Sequence, residues 1–131
     1  MQDRIELHAH FPVTPVELYD AWLDSEKHSA LSGATAQTSK IQGAAFSASD
    51  GYIEGVNLEL ERPRRIVQSW RTTNFKSTDP DSRLELRFVR SAHGGTDFTL
   101  IHTNLPLGSC EEYQQGWLEF YLSPMQEYYK V

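Results

Sequence analysis

The sequence predicts an α+β domain in which a curved antiparallel sheet of about seven strands wraps around a long C-terminal helix, with two short helices after the first strand. Three observations carry this. Between Ser109 and Tyr129 the residues Tyr113, Trp117, Phe120, Tyr121, Pro124, Met125 and Tyr128 recur at helical spacing, and most of them are aromatic. A stripe of rings must be covered, since each buried ring contributes roughly 2 to 3 kcal/mol of transfer free energy. From Thr35 to Asn104 the helical period gives way to short alternating runs punctuated by turn residues, the mark of a strand meander. Sequential antiparallel strands neighbour one another, and so many of them twist into a concave surface that the helix can fill.

Each element has its own signal. Arg4 to Phe11 alternates, with Ile5, Leu7, Ala9 and Phe11 on one face against Arg4, Glu6, His8 and His10. Thr14-Pro15-Val16-Glu17 supplies an N-cap, a proline at the first helical position and an acid in the first turn. That helix runs to about Leu23, and Asp24 or Ser25 caps a second one that Gly33 ends. Strands are then expected at Thr35 to Ser39, Ala44 to Ala48, Tyr52 to Glu61, Ile66 to Thr72, Arg83 to Arg90 and Thr96 to Asn104. Asp50-Gly51, Arg62-Pro63 and His93-Gly94-Gly95 provide turns. In the strand from Tyr52 the alternation sets Val56, Leu58 and Leu60 against Asn57, Glu59 and Glu61. Ser109 and Glu112 have the spacing of a capping box for the long helix. Gly116 implies close backbone approach and Pro124 a kink.

Composition narrows the function. A chain of 131 residues is expected to be a single domain spanning 1–131, large enough for one core. A single cysteine, Cys110, leaves no internal disulfide or cysteine-rich zinc site and fits a small buried thiol. The net charge of −6, with no basic run beyond the Arg62-Pro63-Arg64-Arg65 hairpin tip, argues against nucleic acid. No apolar run suits a signal peptide or a membrane span, so a cytoplasmic location is expected.

The polar candidates are few. His8 and His10 share a strand face, as two metal ligands would, but Arg4 and Glu6 mark that face as solvated, so no metal is expected. His28 and His93 read as surface residues. His102 shares the inward face of Phe98 and Leu100, where it could be a satisfied core residue, a general base or a polar anchor for a ligand. Gln68 lies on the inward face of Ile66 and Trp70. Glu54 points inward unless a bulge at Gly55 turns Ile53 in its place. No nucleophile and base, and no pair of acids, stand at catalytic spacing, so a non-catalytic role without cofactor is expected. Leu118, Leu122 and Tyr129 widen the apolar arc of the long helix; either the short helices cover them or they form a dimer or partner surface.

Several stretches together resemble a known family. Thr14-Pro15-Val16-Glu17-Leu18-Tyr19, Gly33-Ala34-Thr35-Ala36, Phe46 with Asp50-Gly51 and Gly55, Ile66-Val67-Gln68-Ser69-Trp70-Arg71, and Gly116-Trp117 with Tyr121 and Pro124 are similar to the homologues of the activator of the ninety-kilodalton heat-shock chaperone's ATPase. That family lies within the START-like, or SRPBCC, superfamily, whose fold is the helix-grip. Gly43-Ala44-Ala45-Phe46 departs from the paired glycine of many relatives, which suggests a less extreme bulge. The resemblance implies a monomer or homodimer, a space between sheet and helix for a small hydrophobic molecule, and a chaperone as the alternative partner; an enzyme of the same superfamily acting on a polyketide-like or aromatic substrate is the third reading. The residues expected to wall that space are Phe46, Leu58, Gln68, Trp70, Leu86, Phe88, His102, Trp117 and Tyr121, with Gln68 and His102 as polar anchors.

Overall fold

The computed structural model describes residues 3–130. Strand β1 (Asp3–Phe11) is followed by helices α1 (Pro15–Trp22) and α2 (Ser25–Ser32). The meander comprises β2 (Ala45–Ala48), β3 (Ile53–Glu61), β4 (Arg65–Thr72), β5 (Ser82–Arg90) and β6 (Thr96–Leu105). All neighbours are antiparallel, in the order β1-β6-β5-β4-β3-β2, so the first strand closes against the last. The C-terminal helix crosses the concave face as α3 (Cys110–Trp117), a wide π-helical turn (Leu118–Leu122) and α4 (Ser123–Tyr128).

The helix starts follow the sequence signals only in part. Thr14 Oγ1 accepts the Glu17 N–H at 3.2 Å, and Asp24 Oδ1 accepts that of Lys27 at 2.9 Å. Gly33 ends α2 at φ +80°, where a side chain would be strained. The capping box at Ser109 does not form, because its hydroxyl donates to the Pro106 carbonyl at 2.6 Å. At the Arg62 tip, expected to be solvated, the guanidinium forks onto Asp20 of α1 at 2.9 and 2.8 Å.

Among the described residues six strands form where about seven were expected. Thr35 to Ser39 contributes only a bridge between Gln37 and Ser47, because side chains take its backbone groups. Ser25 Oγ both donates to the Thr38 carbonyl and accepts its N–H, Ser29 Oγ accepts from Ala36, and Asp50 Oδ1 accepts from Thr35. The stretch is tied to α2 and to the Ser49–Gly51 turn, and this link shapes one end of the concave face.

Strand β3 reverses the expected facing. Asn57 is buried and Leu58 is 44% exposed, while a register shift between Asn57 and Glu59 returns Leu60 to its place opposite Ile66. No shift occurs at Gly55, yet Ile53 is inward and Glu54 outward. A Cβ at Gly55 would lie 1.8 Å from the Ser69 carbonyl oxygen and 2.7 Å from the Phe46 ring, so the missing side chain lets β4 and Phe46 approach.

The long helix changes pitch just before Pro124. Proline offers no N–H to the Phe120 carbonyl and its ring crowds that position, and the wide turn at Leu118–Leu122 relieves both. Widening breaks the constant helical period. Tyr113, Trp117, Tyr121 and Met125 stay buried, whereas Phe120 is 61% exposed and Tyr128 is also exposed. Leu122 is buried and Tyr129 packs edge-on to Phe11, which covers two of the three residues flanking the stripe.

Candidate functional site

A cavity of about 390 Å³ opens between α3, the Ser49–Gly51 turn and the adjoining ends of β3 and β4. Tyr113, Gly116, Trp117, Phe120 and Tyr121 border it from the helix, Trp70 and Ile53 from the sheet, and Tyr52, Ser49 and Asp50 from the turn. Ser32 and Ala34 complete the wall at the end of α2. The rings lock one another in place. Trp70 meets Tyr113 edge-on with centroids 5.3 Å apart, and Trp117 lies 5.7 Å from Trp70 and 4.9 Å from Tyr121.

Behind this wall the polar groups are matched to each other. His28 is 2% exposed rather than on the surface as its sequence position suggested. Its Nδ1–H donates to the Trp22 carbonyl at 2.8 Å, which leaves Nε2 to accept the Tyr121 hydroxyl at 2.8 Å. Burial lowers the His28 pKa, opposed by the Trp22 carbonyl, and burial also raises that of Tyr121. The Tyr113 hydroxyl meets Thr72 Oγ1 at 2.8 Å, and burial pushes its pKa up to about 12. Nothing in the local sequence of α2 set His28 apart, since the partner that accounts for it lies 93 residues away.

Of the nine residues expected to wall the space, Trp70, Trp117 and Tyr121 meet at the cavity. Leu58 faces away because of the β3 bulge, and Phe46 covers Gly55. Leu86 and Phe88 lie deeper in the core, Phe88 between Tyr19 and Phe98. Gln68 lies outside the lining and its amide is taken: Oε1 accepts from Trp22 Nε1 at 3.3 Å and Nε2 donates to Asn57 Oδ1 at 2.9 Å. His102 sits behind Trp70 and Trp117, with Nδ1 accepting the Trp117 indole N–H at 3.0 Å and Nε2 against Ser82 Oγ at 2.8 Å. The sequence reading missed Tyr113, Tyr52 and the Ser49–Gly51 turn. It also expected backbone crowding at Gly116, where an added Cβ would meet only Phe120, at 4.0 Å; the open space there belongs to the cavity.

Among the described residues no group of His, Cys, Asp or Glu has the arrangement of a metal site, and no helix is long and apolar enough to cross a membrane. Residues 12–130 match the family described as "Activator of Hsp90 ATPase homolog 1-like protein". The chain belongs to this family. It is 27% identical over 86% of its length to the "Activator of 90 kDa heat shock protein ATPase homolog" of Dictyostelium discoideum, and 27% identical over 95% of its length to homolog 1 of Homo sapiens. It spans only 29% and 36% of those two proteins. In three dimensions it is similar to an HSP90 activator from Plasmodium falciparum, with a TM-score of 0.86, 26% identity and coverage of 95% of this chain and 94% of that one. CalU16 of Micromonospora echinospora, at 22% identity and a TM-score of 0.81 over 98% of this chain and 77% of that one, shares the fold.

Proposed function

We propose that this family member is a non-catalytic binding domain that holds one small, mostly apolar or aromatic molecule between its sheet and C-terminal helix. The cavity supports this reading: its size suits a small organic ligand, and six of its twelve lining residues are aromatic. Trp70, Trp117 and Tyr121 form the contact surface together with Tyr113 and Phe120. His102, with both ring nitrogens engaged, holds Trp117 and Ser82 in place. The direct test is to purify the protein from its native host, denature it and analyse the extract by mass spectrometry beside a matched blank. A stoichiometric organic molecule is the expected result. An empty extract, together with no binding of neutral naphthyl dyes, would overturn the reading.

A second reading, a co-chaperone-like domain that contacts the ninety-kilodalton chaperone, draws on the similarity to the Plasmodium HSP90 activator along nearly the full length of both chains. Its test is the ATPase rate of the purified chaperone with and without this protein. An unchanged rate at saturating concentration would exclude it.

A further inference from the structure

We propose that the ligand of this cavity is a flat, uncharged molecule carrying a carbonyl-type oxygen, and that the indole N–H of Trp70 is the donor that receives it. This rests on the cavity being the binding site. The chain has three tryptophans, and two have their indole donors paired within the protein: Trp22 to Gln68 Oε1 and Trp117 to His102 Nδ1. Trp70 is 4% exposed and lines the cavity, yet among the described residues its Nε1–H has no hydrogen-bond partner. Its ring is held by neighbours that offer edges and faces: Phe75, His102 and Tyr113, all nearly perpendicular. The only side-chain polar atom both sealed from solvent and unpaired among the described residues is Thr38 Oγ1. Trp70 Nε1 therefore retains open space beside it, and the open space at this residue is the cavity.

The other polar groups of the wall sharpen the choice. Tyr121 is satisfied by His28, Tyr113 by Thr72, and Ser32 Oγ donates to the His28 carbonyl at 2.9 Å. The Ser49 and Tyr52 hydroxyls of the turn also border the cavity, Tyr52 Oη accepting from Asn74 Nδ2 at 2.9 Å; the donor fixed on a buried ring and without an acceptor among the described residues is Trp70 Nε1, since an indole nitrogen cannot accept. Neither Lys, Arg nor His is among the lining residues, and the one acid there is Asp50. A carboxylate or phosphate would meet that negative charge with no compensating cation. An ammonium group would set donor against donor at Trp70. A neutral ketone, quinone, lactone or amide oxygen on an aromatic body matches both the rings and the lone N–H.

The experiment uses the full chain and two neutral dyes, propionyl dimethylaminonaphthalene and its propyl counterpart, which lacks the carbonyl. The wild type is expected to bind the ketone about tenfold more tightly than the alkyl dye. Trp70→Phe loses the N–H together with part of the indole's contact area, so both dyes should bind more weakly, and the ratio of their affinities should fall from about tenfold to about one. In the wild type, the infrared carbonyl band of the bound ketone should shift down from its position in hexane, a reading that needs no variant. Equal affinity for the two dyes in the wild type, a preference retained in Trp70→Phe or an unshifted band would each overturn the proposal while leaving the cavity as a binding site. Failure of both dyes to bind, together with an empty extract from the native host, would overturn both.

Discussion

Trp117 on α3 donates its indole N–H to Nδ1 of His102 on β6 at 3.0 Å, and this bond fixes the state of the imidazole. With Nδ1 accepting, the neutral ring carries its proton on Nε2 and donates to Ser82 Oγ, whose hydroxyl donates to the Trp70 carbonyl at 2.6 Å. One chain of donors thus ties the helix to β5 and to the strand carrying Trp70. Burial lowers the His102 pKa to about 3, so the ring stays neutral and the chain keeps its direction.

The first prediction is a loss of stability in mild acid. An unfolded histidine titrates near 6.5, whereas His102 in the fold titrates near 3, so below pH 6.5 the unfolded chain binds the extra proton. The contribution is therefore complete above pH 6.5 and falls by about 1.4 kcal/mol per pH unit as pH decreases towards the folded value. His28, also held neutral by burial, acts in the same direction. Urea unfolding at pH 5 should give a stability lower than at pH 7.5 by about 2 kcal/mol from His102 alone. A flat profile across that interval would contradict the buried neutral rings.

Gly116 separates folding from binding. Glycine inside a helix costs about 1 kcal/mol relative to alanine, and here no crowding requires it. Gly116→Ala should raise the thermal midpoint by roughly 2 to 5 °C, as measured by calorimetry. Gly116→Leu should instead push a side chain into the space beside Phe120 and weaken dye binding about tenfold or more. A Leu variant that binds dye as well as the wild type would remove Gly116 from the cavity wall.

The sequence made the elements legible because their signals are local. The Thr14 and Asp24 caps, the Gly33 stop and the alternation of β4 to β6 all involve residues a few positions apart. What it concealed depends on distant partners. The bulge that turns Leu58 outward is a relation between β3 and β4, and the serines that prevent a seventh strand act across seven to thirteen positions. The site was half visible for the same reason. Trp70, Trp117 and Tyr121 follow from facing alone, but the cavity lies towards the Ser49–Gly51 turn, and its position depends on how the turn, the end of α2 and the widened helix meet.

Tyr121→Phe tests the support behind the wall. Removing the hydroxyl leaves His28 Nε2 as a buried acceptor without its donor, at an expected cost of about 1 to 2 kcal/mol in chemical unfolding. The ring remains, so dye affinity should change less than twofold by the same reasoning about retained apolar contact. A large loss of affinity at unchanged stability would show that the hydroxyl itself serves the ligand.

On the outward face of the sheet, Glu85 is buried between Val67 and Ile101, its cross-strand neighbours on β4 and β6. Burial alone would raise its pKa, but Arg87 Nε at 2.6 Å, Arg83 Nη1 at 2.9 Å and Arg65 Nε at 3.3 Å hold it down to about 2. A depressed carboxylate contributes stability above its unfolded pKa, and that contribution disappears as pH falls from about 4.3 towards 2. Glu85→Gln leaves the three guanidinium groups without their shared anion. Because those groups remain partly hydrated, the expected cost at pH 7 is about 1 to 2 kcal/mol, below that of a fully buried broken pair. The diagnostic is the acid limb: the difference between wild type and Glu85→Gln in urea unfolding should shrink below pH 4. A difference that stays constant from pH 7 to 3 would mean that the carboxylate's charge is not what the arginines hold.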